Sequence, residues 1–140
     1  MEKSDILALK FSAVHMGFDA PAWETDKQHK NCRHHYKCTF HNPANGKSYT
    51  IDFWNNVKNS PVTMLGVLEC VALDATSAIG TFENFCGELG YDTDSRKAER
   101  MHKACVRERV NLCRLFGCEP DDLYKVSEMV QELSETEAAQ

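Results

Sequence analysis

The apolar residues of this chain change their period once, and this change constrains the fold more than any other feature. Within the first 60 residues, which otherwise have the character of loops, apolar side chains recur at every second position in two segments, 36–40 and 49–53, and this is the period of a β-strand. From about residue 61 they recur at three- and four-residue spacing, which is the period of an amphipathic helix. Strands followed by helices predict an α+β fold: an N-terminal antiparallel β-hairpin or three-stranded sheet packed against a C-terminal group of about four helices.

A β-hairpin is the clearest element of the first part. Apolar and polar residues alternate over 36–40 and again over 49–53. The connecting residues include Asn45-Gly46, which tolerate the positive φ angles of a tight chain reversal. We therefore predict two antiparallel strands joined by a turn at 42–47.

The N-terminal segment has two interpretations. Residues Lys10–Met16 fit a third strand, whereas Ser4-Asp5 followed by an apolar cluster fits the start of a short helix. Residues 5–16 are therefore open between helix and strand. A polar loop from Asp19 to Arg33, which contains Trp23, is predicted to lead into the hairpin.

Capping residues divide the C-terminal part into four predicted helices. The first helix runs from about Pro61 to Ala75 after a Ser60 cap, and the second runs from Phe82 to Leu89 between Thr81 and Gly90. The third runs from Ser95 to Phe116, with Asp94 or Thr93 as its cap and Gly117 after its end. The fourth begins at Pro120 and ends in a frayed tail at 134–140. The predicted inner stripe of the longest helix consists of Ala98, Met101, Cys105, Leu112 and Phe116.

The length of 140 residues fits one domain over residues 1–140. No apolar run approaches the roughly 18 residues that a membrane span requires, and the first residues lack a secretory cleavage pattern. The cysteine count of seven is odd, which favours reduced thiols over a disulfide framework. We expect a cytoplasmic protein without membrane contact.

The formal net charge of -5 opposes general binding to nucleic-acid phosphates, because such binding depends on Lys and Arg. Direct nucleic-acid binding is therefore not expected, and a protein partner is favoured. The acidity is concentrated near the C-terminus, where it fits solubility or, as a minor alternative, mimicry of DNA.

Five potential metal ligands lie within ten residues: Cys32, His34, His35, Cys38 and His41. Cys38 and His41 are three residues apart on a predicted strand, so their side chains point to opposite faces and cannot share one tetrahedral ion. We expect Cys38 in the core, the histidines in solvent and no metal, with a zinc site as the alternative.

Catalytic motifs are missing from the sequence. No Cys or Ser lies in a recognisable nucleophile signature, and no glycine-rich phosphate loop is present. We therefore expect a protein that is not an enzyme, with no catalytic residue and no cofactor.

The segment GTFENFCGELGYDTDSRKAE, from Gly80 to Glu99, resembles a signature of small accessory proteins of phages, prophages and plasmids. GYDTDSRKAE is its specific part, and the resemblance extends from about His35 to Gly117. That family has no assigned activity, cofactor or catalytic residue, so the resemblance implies mainly a genetic setting. It implies an accessory protein that binds and blocks a host protein, such as a CRISPR effector. The alternative is a nucleic-acid or small-ligand binding module.

Two regions are candidates for partner contact. Trp54 falls on the strand face opposite Phe53 and is expected to be exposed there. The turn from Tyr91 to Arg96 has two interpretations, helix capping with packing or partner contact. Together they predict a protein-binding surface formed by Trp54, Tyr91, Asp92, Asp94 and Arg96.

Overall fold

A computed structural model describes residues 1–21, 32–55 and 60–138, and these form the predicted α+β architecture. One antiparallel sheet has the strand order β1-β2-β3, with β1 Lys10–Asp19, β2 Arg33–Asn42 and β3 Lys47–Asn55. The described ranges contain five α-helices, which are α1 Lys3–Leu7, α2 Met64–Ser77, α3 Phe82–Leu89, α4 Arg96–Phe116 and α5 Leu123–Ala138.

The N-terminal segment contains both of the elements that its sequence suggested. In α1 the side chain of Asp5 accepts a hydrogen bond from the backbone N–H of Glu2, and Ile6 is fully buried. The chain then enters β1, which continues to Asp19, beyond the predicted end at Met16. A short amphipathic turn and an edge strand therefore follow each other within residues 3–19.

The hairpin is confirmed. Asn42 pairs with Lys47 across its closing turn, and the carbonyl oxygen of Asn42 accepts a hydrogen bond from the N–H of Gly46. Gly46 has a φ of 72°, the left-handed conformation that the Asn-Gly pair predicted. The predicted loop from Asp19 to Arg33 lies outside the described residues over 22–31, and so does Trp23.

Two helix starts differ from the prediction. Helix α2 begins at Met64, where the Thr63 hydroxyl accepts the N–H of Gly66, so the predicted start at Ser60-Pro61 is wrong. The extended residues before it place Val62 against the core. Helix α4 is capped by Ser95, whose hydroxyl accepts the N–H of Ala98, and neither Asp94 nor Thr93 is the cap.

The C-terminal helix is longer than expected. After a 3-10 turn at Pro120–Asp122, α5 continues to Ala138, so the frayed tail predicted from residue 134 is helical as far as Ala138. Glu and Ala are good helix formers. A Lys3–Glu132 ion pair also joins α5 to α1, close to the predicted point of fraying.

The helices pack on the sheet face that carries Cys38, Phe40 and Tyr49, and one main core joins them. In α4, Leu112 is fully buried as predicted, whereas Phe116 is half-buried because Leu115 occupies the inward position. Met101 is also half-buried, in a smaller cluster around Phe85.

All seven cysteines are free thiols. Among residues 1–21, 32–55 and 60–138, no single helix is long and apolar enough to cross a membrane. Helices α2 and α3 reach that length only when they are taken together, and they are bent by 119°.

Candidate functional site

The helices cover the two ends of the sheet unequally. Along β2, Cys38, Phe40 and Asn42 are buried near the hairpin turn, whereas His34 and Tyr36 are half-buried. We call the hairpin side the closed end. The open end consists of Val14–Asp19, Arg33–Tyr36 and Asp52–Asn55, which are neighbours in the strand register.

An aromatic patch lies on the helix-side face of the open end. His15 pairs with Tyr36 across the two strands, and their rings are 5.1 Å apart. The ring of His34 lies 5.1 Å from that of His15 and 5.3 Å from that of Phe18. Phe18 remains 65% exposed despite these contacts. The patch therefore offers apolar and aromatic surface to solvent.

The outer face of the open end carries a polar group that we call the His35 cluster. The ring of His35 stacks on Trp54 at 4.3 Å and 11°. Its Nδ1 lies 3.2 Å from Asp19 Oδ2, and its Nε2 lies 2.9 Å from Asp52 Oδ1. Trp54 donates its indole N–H to Asp19 Oδ1 at 2.6 Å. The cluster joins all three strands at one place.

The His35 cluster favours a charged imidazole, because only the imidazolium can donate from both ring nitrogens. Burial lowers the pKa of His35, but the hydrogen bonds and charges of Asp52 and Asp19 outweigh this effect, so the net shift is upward. The Trp54 hydrogen bond lowers the pKa of Asp19, and His35 adds to that effect against a smaller opposing contribution of burial. The cluster thus holds opposite charges together.

Strand β1 is a long edge strand with exposed apolar side chains. It has ten residues, and no described residue pairs with its outer edge. Val14, Met16 and Phe18 are 58%, 50% and 65% exposed. A register shift between His15 and Gly17 places a β-bulge there, and Gly17 has a φ of 125°. Long apolar edges are typical of sites where another chain adds.

The turn between α3 and α4 is held by backbone hydrogen bonds. The N–H of Tyr91 donates to the carbonyl oxygen of Cys86, and the N–H of Ser95 donates to that of Asp92. Because Ser95 is the cap, the side chains of Asp92 and Asp94 are not needed for capping. In the described part of the chain, no hydrogen bond or ion pair engages the exposed side chains of Asp92, Asp94 and Arg96. Partner contact through this turn stays a prediction.

The five predicted contact residues fall into two groups. Trp54 lies on the outer face as expected, but it is half-buried by its stacking on His35. Tyr91, Asp92 and Asp94 lie in the α3–α4 turn, and Arg96 is the first residue of α4. No hydrogen bond or ring contact among the described residues joins the two groups.

The structure confirms the geometric argument about the Cys/His-rich segment. Cys38 is buried in the core, and burial raises the pKa of its thiol to about 11. His41 lies on the other face of β2, where its Nδ1 is 2.7 Å from Ser48 Oγ. The expectation that the histidines are free in solvent is wrong for His34, His35 and His41, because all three are half-buried: His34 and His35 lie in ring contacts, and His41 lies beside Ser48.

Several residues of the open end escaped the sequence analysis. Phe18 and Asp19 follow the bulge, where the strand period is broken, so no alternating pattern marked them as strand. His15 showed no signal of its own. Asp52 was recognised only as a polar position beside Trp54, since pairing with His35 depends on the strand register.

In comparisons with known proteins, no family model, curated protein or solved structure matches this chain. The resemblance to phage accessory proteins therefore stays a prediction that rests on the residues quoted above.

Proposed function

We propose that this protein works by stoichiometric binding to another protein through the open end of its sheet. In the genetic setting that the sequence suggests, the partner is a host protein in the cytoplasm, and a defence component such as a CRISPR effector is the leading candidate. The protein then inhibits this partner by staying bound to it, without catalysis and without a cofactor.

The free edge of β1 is the observation that carries the proposal. An edge strand presents unpaired backbone N–H and C=O groups, which an extended segment of another protein can pair with. Natural edges are usually short, guarded by charges or interrupted by a bulge; β1 carries a bulge after His15, but it has ten residues and exposes Val14, Met16 and Phe18. We infer that an extended partner segment adds to β1 and covers these side chains.

The His35 cluster supports binding because it organises the surface in advance. Asp19 belongs to β1, His35 to β2 and Asp52 to β3, so their hydrogen bonds hold three strand ends in one arrangement. A surface that is already ordered loses less conformational entropy when a partner binds. Trp54, which forms part of this cluster, supplies an aromatic contact of the type that dominates binding energy.

The α3–α4 turn provides a second, smaller contact. Its charged side chains are exposed and carry both signs, which suits the polar rim of an interface. Rim charges contribute mainly to association rate and selectivity, so we assign the larger share of the affinity to β1 and Trp54.

A titration with the protein partner tests the proposal. The tagged protein is first used to isolate a partner from host lysate. The purified protein is then titrated with the purified partner and, in a parallel experiment, with DNA. The proposal predicts saturation at a fixed molar ratio and inhibition that does not turn over. DNA binding that collapses between low and moderate salt, with no protein partner, would instead support the nucleic-acid module.

A small-ligand module is the second candidate, and one cavity favours it. A cleft of about 450 Å³ lies between the hairpin turn, the end of α4 and the start of α5, with Asn45, Phe116 and Lys125 in its lining. This volume is within the range of small-molecule sites. A thermal-shift screen with small polar metabolites tests it, and a stabilised melt that is lost in Lys125→Ala supports this function.

A further inference from the structure

A thiol and two carboxylates meet between helices α2 and α4, far in sequence from the Cys/His-rich segment of β2. Asp74 lies on α2, and Cys105 and Glu108 lie one turn apart on α4. One oxygen of each carboxylate and the Cys105 sulfur all lie within 4.8 Å of one another. We call this group the thiol–carboxylate cluster.

One oxygen atom of this cluster has no partner among the described residues. The Oε2 atom of Glu108 is fully buried and has no hydrogen-bond partner among the described residues. A buried carboxylate oxygen without a partner is costly, and a second carboxylate beside it adds repulsion when both are charged. An atom of this kind calls for a proton or a cation.

The protonation of Glu108 is consistent with this view. Burial, followed by the charge and hydrogen bond of Asp74, raises the pKa of Glu108 to about 9. Asp74 is the exposed residue of the three, whereas Glu108 is half-buried and Cys105 is buried.

We propose that Asp74, Cys105 and Glu108 bind one divalent transition-metal ion of the zinc class, with solvent completing the coordination. The ligand chemistry favours this class, because a sulfur ligand beside carboxylates suits Zn²⁺ or Co²⁺, whereas Mg²⁺ and Ca²⁺ prefer oxygen ligands alone. The site links two helices of the main body. It is independent of the binding function proposed above.

Cobalt is the most informative test ion, because Co²⁺ bound to a thiolate gives a charge-transfer absorption that reports the sulfur ligand directly. Chelator-treated protein is titrated with Co²⁺ and, separately, melted with and without Zn²⁺. We expect one Co²⁺ per chain with a thiolate band, and a higher melting temperature with Zn²⁺.

Matched variants locate the site. Cys105→Ser should abolish the thiolate band, and Glu108→Gln should weaken binding by more than about tenfold, because even outer-shell partners contribute roughly 10–100-fold. Cys113→Ser and Glu99→Gln, on the same helix but outside the cluster, should leave binding unchanged. If Cys105→Ser does not fold, the Co²⁺ affinity of Glu108→Gln shows whether the metal binds at this cluster.

Two results overturn the proposal. A wild-type protein that shows no thiolate band and whose melting temperature is unchanged by Zn²⁺ has no such site, and Asp74 and Glu108 then merely share a proton. A band that persists at full strength in Cys105→Ser places the metal on other cysteines.

Discussion

Phe40 and Phe18 lie in the same sheet, yet one is fully buried and the other is 65% exposed. Phe40 is at the closed end, where it packs against Phe11 at 5.2 Å and against Tyr49. Phe18 is at the open end, beyond the cover of the helices, where its ring contact is with His34. The comparison teaches that the helices bury the closed end of the sheet but leave the β1 side of the open end exposed, although Tyr36 and Phe53 of that end still pack against the main core.

Alanine at the two phenylalanines should separate the ends most strongly. Phe40→Ala removes a fully buried ring and should lower the free energy of unfolding by about 3–5 kcal/mol, as large-to-small core changes do. Phe18→Ala should cost less than about 1 kcal/mol, because most of its ring is already in water. Denaturant unfolding of both variants measures this. Equal losses would mean that Phe18 belongs to the core.

The next effect concerns the side-chain hydrogen bonds that join the hairpin turn of the closed end to the end of α4. Buried Asn42 donates its side-chain N–H to the carbonyl oxygen of Leu115 at 2.9 Å, and Asn45 donates to the same oxygen. Asn42→Ala should lower the free energy of unfolding by about 1–3 kcal/mol, the cost of losing a buried hydrogen bond. Asn45→Ala, which is nearer to solvent, should cost less in the same unfolding experiment. A larger loss of unfolding free energy in Asn45→Ala than in Asn42→Ala would contradict the assignment of the Asn42 hydrogen bond as the stronger of the two.

Partner binding should respond to the open end with smaller energies. Trp54→Ala should weaken binding to the isolated partner by more than about 1 kcal/mol, the level expected of an aromatic contact residue. The double variant Tyr91→Ala, Arg96→Ala tests the α3–α4 turn and should have the weaker effect. Titration calorimetry measures both, and thermal melts establish that each variant is folded. Unchanged binding by a folded Trp54→Ala variant would remove the outer face from the interface.

The smallest effect is the pH response of the open end. His35 has a folded-state pKa above its usual value of 6.5. Its contribution to stability is therefore complete below the unfolded-state pKa and is lost as pH rises through the raised value. An NMR titration of His35 should show a midpoint above 6.5, and Asp52→Asn should lower that midpoint. Asp5→Asn, in α1, is the control and should leave it unchanged. A wild-type midpoint below 6.5 contradicts the proposed cluster.

The closed end was predictable from sequence because its signals are local. Strand alternation, the Asn-Gly turn and the capping residues Thr81 and Gly117 each depend on neighbours a few positions away. The start of α2 was missed because Ser60 and Thr63 are both good caps; the helix uses Thr63, and Val62 before it packs against the core. Local patterns at such a boundary do not contain that information.

The open end and the thiol–carboxylate cluster depend on contacts between residues distant in sequence. His35 meets Asp52 through the β2–β3 register and Asp19 through a register that a bulge has shifted. Glu108 meets Asp74 only after α2 and α4 have packed. The same sequence pattern would fit a solvated charge in each case, so only the assembled structure shows these groups.

The central claim is that the edge of β1 at the open end is a contact surface, and a matched pair of valines tests it most directly. Val14 is 58% exposed on β1, and Val110 is 56% exposed on α4, so the two differ in place rather than in exposure. A charge on an edge strand opposes the addition of another strand. Val14→Glu should weaken binding to the isolated protein partner by at least about tenfold, which is ~1.4 kcal/mol. Val110→Glu should leave the affinity unchanged, and equal affinities for the two folded variants would contradict the account.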